Sequence, residues 1–304
     1  PPAHNRKVPG SIPGGPTSER NKKPPDGGFS FCKGGLAMKL REFADRLDRL
    51  IPAAWSEQWD NPGLLSGDPD LQVGKVAISL NASLSSIRKA CDIGANVLVT
   101  HHPVLIQPTL RVLPETLSGA SLFYSIKTGM ALYAVHTNWD VSPKGVNRIL
   151  SEKAGLQDVL PLIPGQNGAW GTGAVGVLRE PLQLGELSAF LLENWGLSWV
   201  RVLGNGDSVI RRLALCGGAG GGLIAEARRL NADAFVTADL RYHEMLEGQF
   251  LGLSLLTCDH GEMEAASLEG LCQLIMSGTG LPAEVLPEEE PAGFFELANR
   301  PTNA

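Results

Sequence analysis

Four of the six histidines in this chain fall in three short clusters that also carry acidic residues: His101-His102-Pro103, His136-x-x-x-Asp140 and His260-x-x-x-Glu264. Imidazole nitrogens mixed with carboxylate oxygens suit a borderline divalent cation such as zinc, iron or manganese. Each cluster begins where an apolar run stops. Ala95–Thr100 precedes His101, Met130–Val135 precedes His136, and Leu253–Thr257 precedes Asp259-His260. An α/β sheet presents its ligands to an ion or substrate at the carboxyl ends of its strands. A metal centre is therefore the first reading.

The clusters differ in what they offer. Adjacent side chains at a strand end diverge, so His101 and His102 suit two neighbouring ions, or one ligand and one substrate contact, better than one shared ion. The bland alternative is a pair of loop histidines capping the next turn. Asp140 could bridge two cations through its two oxygens, or cap a helix predicted to start with Ser142 as N-cap and Pro143 as its first residue. His136 could be a ligand or a group that orients one. His260 and Glu264, four apart, share one face of a helix, as paired ligands do in zinc enzymes. The helix N-terminus there disfavours a cationic imidazole and would leave His260 neutral, with Glu262 turned to solvent. The bland reading of this pair is an exposed helix start.

His243 follows another strand, Ala234–Thr237, and is a candidate acid, base or substrate contact; a packed or capping histidine is the alternative. Gly217–Gly222 (GGAGGG) joins a strand to a helix and could cradle an anion with its backbone N–H groups. No Gly-x-Ser-x-Gly elbow or Cys-His nucleophile arrangement occurs, which disfavours covalent acyl chemistry.

Positioning these residues requires strands alternating with helices. Leu40, Phe43, Leu47 and Leu50 lie at helical spacing within Met38–Ile51. The pattern then predicts strand 76–80, helix 84–93, strand 95–100, helix 119–128, strand 130–135 and helix 144–153. Residues 156–172 read as a loop and a domain crossing. Beyond them come strand 173–178, helix 184–195, strands 198–203 and 212–216, helix 223–230, strand 234–237, helix 242–249, strand 253–257 and helix 262–276. Such alternation implies α/β architecture with largely parallel sheets flanked by helices. The expected division is 38–157 plus 258–298 for a first subdomain carrying the ligands, 158–257 for a second, and a tail at 299–304.

Residues 1–37 hold seven Pro, seven Gly and few large apolar residues, too little to offset chain entropy. They read as a disordered leader. Lys33-Gly34-Gly35 could be encoded by a purine-rich ribosome-binding sequence, so Met38 is the expected native start, which N-terminal sequencing would check. The leader takes six of the 26 Lys+Arg and two of the 32 Asp+Glu, leaving 20 against 30, a net −10. That balance makes nucleic acid a poor partner. No apolar run reaches the roughly 18–20 residues of a membrane helix. The five widely spaced cysteines, with no CxxC pair, read as reduced thiols of a cytoplasmic protein.

From Met38 to the tail the chain resembles the Nif-three-like family (NGG-interacting factor three), whose bacterial members carry the name GTP cyclohydrolase 1 type 2 homologue. The resemblance rests on Trp59-Asp60-Asn61-Pro62-Gly63-Leu64, Val99-Thr100-His101-His102-Pro103, His136-Thr137-Asn138-Trp139-Asp140, the Gly217–Gly222 turn, the run Thr237 to His243, and His260-Gly261-Glu262-Met263-Glu264. It implies a dinuclear centre of two divalent ions (zinc, iron or manganese) on residues matching His101, His102, Asp140, His260 and Glu264, the glutamate bridging both ions. It also implies two related α/β halves and a toroidal homohexamer. Leu80-Asn81 departs from the Leu-Asp that the family often has there.

The expected function is a metal-dependent hydrolase. A metal-activated water would attack a small substrate, a nucleotide-like heterocycle or a phosphoester, with His136 and His243 as proton carriers or substrate contacts. The competing expectation is a non-catalytic, metal-binding or regulatory toroid.

Overall fold

The structure, a computed structural model, describes residues 38–287. The expected leader at 1–37, the end of the expected first subdomain at 288–298 and the tail at 299–304 lie outside that range. The strand Met38–Lys39 (β1) leads into Leu40–Leu50 (α1), which buries Leu40, Phe43 and Leu47. After Gly63–Ser66 (β2), and Gln72–Val73 (β3) pairing back onto β1, the alternation begins. It runs Val76–Ser79 (β4), Leu84–Asp92 (α2), Val97–Thr100 (β5), Leu117–Thr128 (α3) and Ala131–Ala134 (β6). All residues of β4, β5 and β6 are buried, as expected of strands covered on both faces.

The chain continues through Thr137–Asp140 (α4), Val146–Lys153 (α5), Leu156–Leu160 (β7), the short pair Ile163–Pro164 (β8) and Gly171–Thr172 (β9), and Ala174–Gln183 (β10). Then come Leu184–Trp195 (α6), Val200–Leu203 (β11), Val209–Ala219 (β12), Ile224–Arg229 (α7), Ala234–Ala238 (β13), Tyr242–Phe250 (α8) and Ser254–Cys258 (β14). His260–Ala265 (α9), Leu268–Thr279 (α10) and Ala283–Val285 (β15) complete it.

Two main sheets result. The first has order β15-β4-β5-β6-β2, parallel except where β2 meets β6. Helices α2 and α3 make the crossovers that parallel neighbours need. The second has order β11-β14-β13-β12-β10-β7 and is mixed. Only β12, β13 and β14 run parallel, while β7, β10 and β11 join antiparallel. The link from β7 to β10 holds only the small β8–β9 pair and no crossover helix, and the two strands pair antiparallel. One apolar cluster, from Phe43 and Val99 to Leu213 and Leu256, runs through both sheets.

Four local expectations need correction. Residues 156–160 form a strand rather than a loop. Helix α5 starts at Val146 with Gly145 at its cap, and Ser142-Pro143 lie in a preceding turn closed by Gly145 N–H to the Ser142 carbonyl at 3.0 Å. Gly145 is required there because a Cβ would stand 1.6 Å from the Trp139 oxygen. Strand β12 runs on through Gly217 to Ala219. The helix predicted over 262–276 is two helices, parted around Ala266-Ser267, where Ser267 Oγ donates to the Glu264 carbonyl and accepts from buried Trp139 Nε1.

Candidate metal centre

The strands bring the three clusters to one place. His101 and His102 prolong the β5 ladder, their N–H groups donating to the Ser79 and Leu80 carbonyls of the neighbouring chain segment at 3.2 and 2.9 Å. His136 and Asp140 bracket α4 just beyond β6. His260 is the first residue of α9 after β14, and the side chain of Asp259 caps that helix by accepting from Glu262 N–H. The imidazoles of His101, His102 and His136 lie with ring centroids 5.0–5.6 Å apart, and His102 stands 5.7 Å from His260.

Glu264 is the hub. Its Oε1 lies 3.0 Å from His260 Nε2 and 3.5 Å from His101 Nε2, and its Oε2 lies 2.9 Å from His102 Nε2. Asp140 Oδ1 is 3.7 Å from His101 Nε2. Three sets of side chains could each hold an ion: His101, Asp140 and Glu264; His102, His260 and Glu264; and His101, His102 and His136. The adjacent histidines thus divide between the two sets that share the glutamate.

Three imidazoles have Nδ1 tied to an oxygen: His102 to Asn81 Oδ1 at 2.8 Å, His136 to Asp60 Oδ1 at 2.8 Å, and His260 to Asp239 Oδ2 at 2.7 Å. With the proton on Nδ1, each Nε2 turns a lone pair into the cluster, the tautomer a ligand needs. Sequence reasoning assigned no role to Asp60 or Asp239 as partners. Asp60 also accepts from the backbone N–H and hydroxyl of Thr137, at 3.0 and 2.5 Å, and its side chain is fully buried. Asn147 holds the backbone of Asp140 through its carbonyl at 3.0 Å and takes the Gly217 N–H at 2.9 Å.

Both nitrogens of His101, Oδ1 of Asp140 and Oε2 of Glu264 are buried without a hydrogen-bond partner. Buried polar atoms are rarely left so. Lone pairs facing one another at about 3 Å repel unless a cation lies among them. The donor set, imidazole with carboxylate, fits a divalent ion.

The electrostatics agree. Burial would lower the His101 pKa, but the charges of Glu264 and Asp140 outweigh it and raise it to about 9. At His260 the hydrogen bond to Glu264 leads, and against burial it too is pushed up to about 9. The helix-terminus argument for a neutral His260 is thus outweighed by its carboxylate neighbours. Burial lowers His102 and raises Asp140 to about 6. Glu264 also feels burial upward, but the surrounding imidazoles hold it well below the usual carboxylate range. Positive charge is favoured at this spot, whether carried by protons or by metal.

His243 falls outside the cluster, and the glycine turn and Glu262 are engaged otherwise than expected. His243 is exposed on the first turn of α8, its ring against Tyr242 at 5.4 Å, and belongs to none of the metal-capable groups found among the described residues. The glycine turn is not a free anion cradle: Gly217 N–H donates to Asn147, Gly220 N–H donates to Thr237 Oγ1 at 2.8 Å, and the Glu244 carboxylate lies where a Cβ of Gly221 would stand, 2.3 Å from it. Glu262, expected to face solvent, accepts from Ser198 N–H and hydroxyl at 2.7 and 2.9 Å.

The same arrangement of strands recurs in solved proteins. A Staphylococcus aureus hypothetical protein superposes with a TM-score of 0.80 at 25% identity, covering 85% of this chain and 99% of that one. A Bacillus cereus protein related to NIF3 gives 0.79 at 20% identity over similar shares, 85% and 99%. In sequence the chain is 35% identical over 232 residues to a "GTP cyclohydrolase 1 type 2 homolog" of Streptomyces coelicolor, 74% of this chain and 81% of that protein. A Clostridium perfringens protein of the same name is 28% identical, over 86% of this chain and all of its own length. Residues 38–290 match the family described as Duf34/NIF3 (NGG1p interacting factor 3), a span that contains every histidine and carboxylate of the cluster, and the chain belongs to that family.

Proposed function

We propose that this protein is a dinuclear metal-dependent hydrolase acting on a nucleotide-like heterocycle or a phosphoester. One observation carries the proposal: Glu264 is common to two three-ligand groups, and a further oriented imidazole, His136, stands beside them. His101, Asp140 and Glu264 would hold one ion, and His102, His260 and Glu264 the other. Zinc, iron and manganese all accept such donors. Bound there, two divalent ions supply Lewis acidity and bring the pKa of a water toward neutrality.

The chain's own residues would do the rest. His136, its Nδ1 held by Asp60, moves a proton at Nε2. The substrate reaches the cluster from the side of His102 and His260, whose side chains are 29% and 32% exposed, whereas His101 is 1% exposed. His243, exposed on the first turn of α8, would be a second proton carrier or a substrate contact.

The proposal extends to a toroidal homohexamer in the cytoplasm, with 38–157 plus 258–298 and 158–257 as related halves. Exposed Leu110, Leu117, Phe123 and Ile126 supply apolar surface suited to subunit contacts. Cys91, Cys216, Cys258 and Cys272 are unpaired, as a reducing compartment would keep them. Among the described residues no helix is long and apolar enough to cross a membrane. The rival reading, a metal-binding regulatory protein without turnover, draws support from the glycine turn, two of whose N–H groups are already taken by Asn147 and Thr237.

Metal analysis followed by a nucleotide and phosphoester turnover screen, with Glu264→Ala as control, separates the readings. Two equivalents of metal, with a turnover that Glu264→Ala lacks, is the expected result. Two equivalents with no turnover above that variant would overturn the hydrolase reading in favour of the regulatory one.

A further inference from the structure

We propose that the two ion positions are unequal: the outer position, on His102, His260 and Glu264, holds its ion more weakly and exchanges it, and the Asn81 amide adds to that difference. The inference rests on the dinuclear reading above.

Three observations carry it. The first is the kind of oxygen behind each imidazole. His136 and His260 are backed by carboxylates, Asp60 and Asp239, whereas His102 is backed by an amide, at 2.8 Å. A carboxylate can only accept, so it pins the proton to Nδ1 and makes Nε2 more basic. An amide is neutral and has a donor face as well as an acceptor face. Turned with its NH2 toward Nδ1, it would leave the proton on Nε2 and stop His102 from ligating.

The second is charge and burial. The inner position has two carboxylates, Asp140 and Glu264, with a fully buried imidazole. The outer shares a single carboxylate between two imidazoles that solvent reaches. Less negative charge and more competing water both weaken cation binding. The third is that Asn81 is held in place. Its carbonyl accepts from Ser79 Oγ and Ser86 Oγ, each at 2.7 Å, which fixes the backbone just beyond β4 and points the amide at His102.

Asn81 is therefore a positioning residue: it acts on the ion through His102 and tunes retention rather than creating the site. The experiment titrates metal-stripped full-length protein with zinc, by calorimetry and in competition with a chromophoric chelator. Wild type should bind two equivalents in two separable steps, and His102→Ala should remove the weaker step. Asn81→Asp should tighten the weaker step, and Asn81→Ala should loosen it, each by roughly 10–100-fold with the tighter step unmoved, the range typical of outer partners of metal ligands. Two equal steps, or an Asn81→Asp protein whose weaker step does not tighten, would overturn the inference while leaving the dinuclear reading intact. Fewer than two equivalents in wild type would overturn both.

Discussion

Nε2 of His260 faces Oε1 of Glu264 across 3.0 Å, while the other ring nitrogen is held by Asp239 at 2.7 Å. One helical turn thus presents a lone pair and a carboxylate oxygen to the same point. The other oxygen of that carboxylate faces His102 at 2.9 Å. Removing only the charge tests whether Glu264 is shared. Glu264→Gln keeps the shape and should drop bound metal from two equivalents to below one after gel filtration, with affinity weakened by more than about 100-fold, beyond the usual effect of an outer partner. Retention of two equivalents at native affinity would sink the shared-ligand assignment.

Asp60 orients His136 and also ties down the start of α4 through Thr137. Burial would raise its pKa, but the hydrogen bonds from His136 and Thr137 outweigh burial and pull it down to about 2, from 3.8. A folded-state pKa below the unfolded one means stability that is present above about pH 4 and lost as pH falls through about 2. Asp60→Asn puts a donor against the Thr137 N–H and should cost about 1–3 kcal/mol at neutral pH. Urea unfolding from pH 4 to pH 2 should show a smaller loss in the variant than in wild type. Parallel curves would remove Asp60 from this role.

What the sequence made legible was what is local or periodic. Helix α6 spans the predicted Leu184–Trp195 because both ends are written beside it: Glu186 accepts from Gln183 N–H at 2.9 Å, and Gly196 takes the left-handed conformation at φ +71°. His260 and Glu264 were legible by spacing. Asp60, Asn81 and Asp239 stand 76, 21 and 21 residues from the imidazoles they hold, and no period encodes such pairs. Asn81 and Asp239 do sit just past strand ends, β4 and β13, so the rule that found the histidines would have flagged them. Asp60 lies in a loop and carries no such signal. The break around Ser267 was hidden because apolar spacing continues across it, while the hydrogen bonds from Trp139 and to Glu264 that fix it are tertiary.

Protons and metal compete for the same positions, and pH should reveal it. In ion-free protein His101 and His260 have folded pKa values of about 9, above the ordinary 6.5. Stability from groups raised in this way is fully present below about pH 6.5 and lost as pH rises through 9. Asp140, raised to about 6, adds a loss of the same sign between about pH 4 and 6. Metal binding displaces those protons, so its contribution grows over the same window. Between pH 6.5 and 9 the melting temperature of chelator-stripped protein should fall, and the gap between zinc-loaded and stripped protein should widen. A gap independent of pH would mean that the ions bind elsewhere.

The backbone of Gly218 completes the cluster wall. Its φ is +69°, and a Cβ there would stand 2.5 Å from Glu264 Oε1 and 3.4 Å from His260 Nε2. Gly218→Ala therefore carries two penalties: the left-handed backbone, about 1 kcal/mol or more, and a methyl that pushes the Glu264 carboxylate off its position. Gly252, at φ +67° with nothing within 4 Å of its Cβ position, separates them. Both alanine variants should lose similar backbone stability in thermal melts of stripped protein. Only Gly218→Ala should also lose zinc affinity, because only there does the added methyl meet a ligand. If Gly252→Ala lost affinity equally, the effect would belong to general destabilisation and not to the approach of this strand to Glu264.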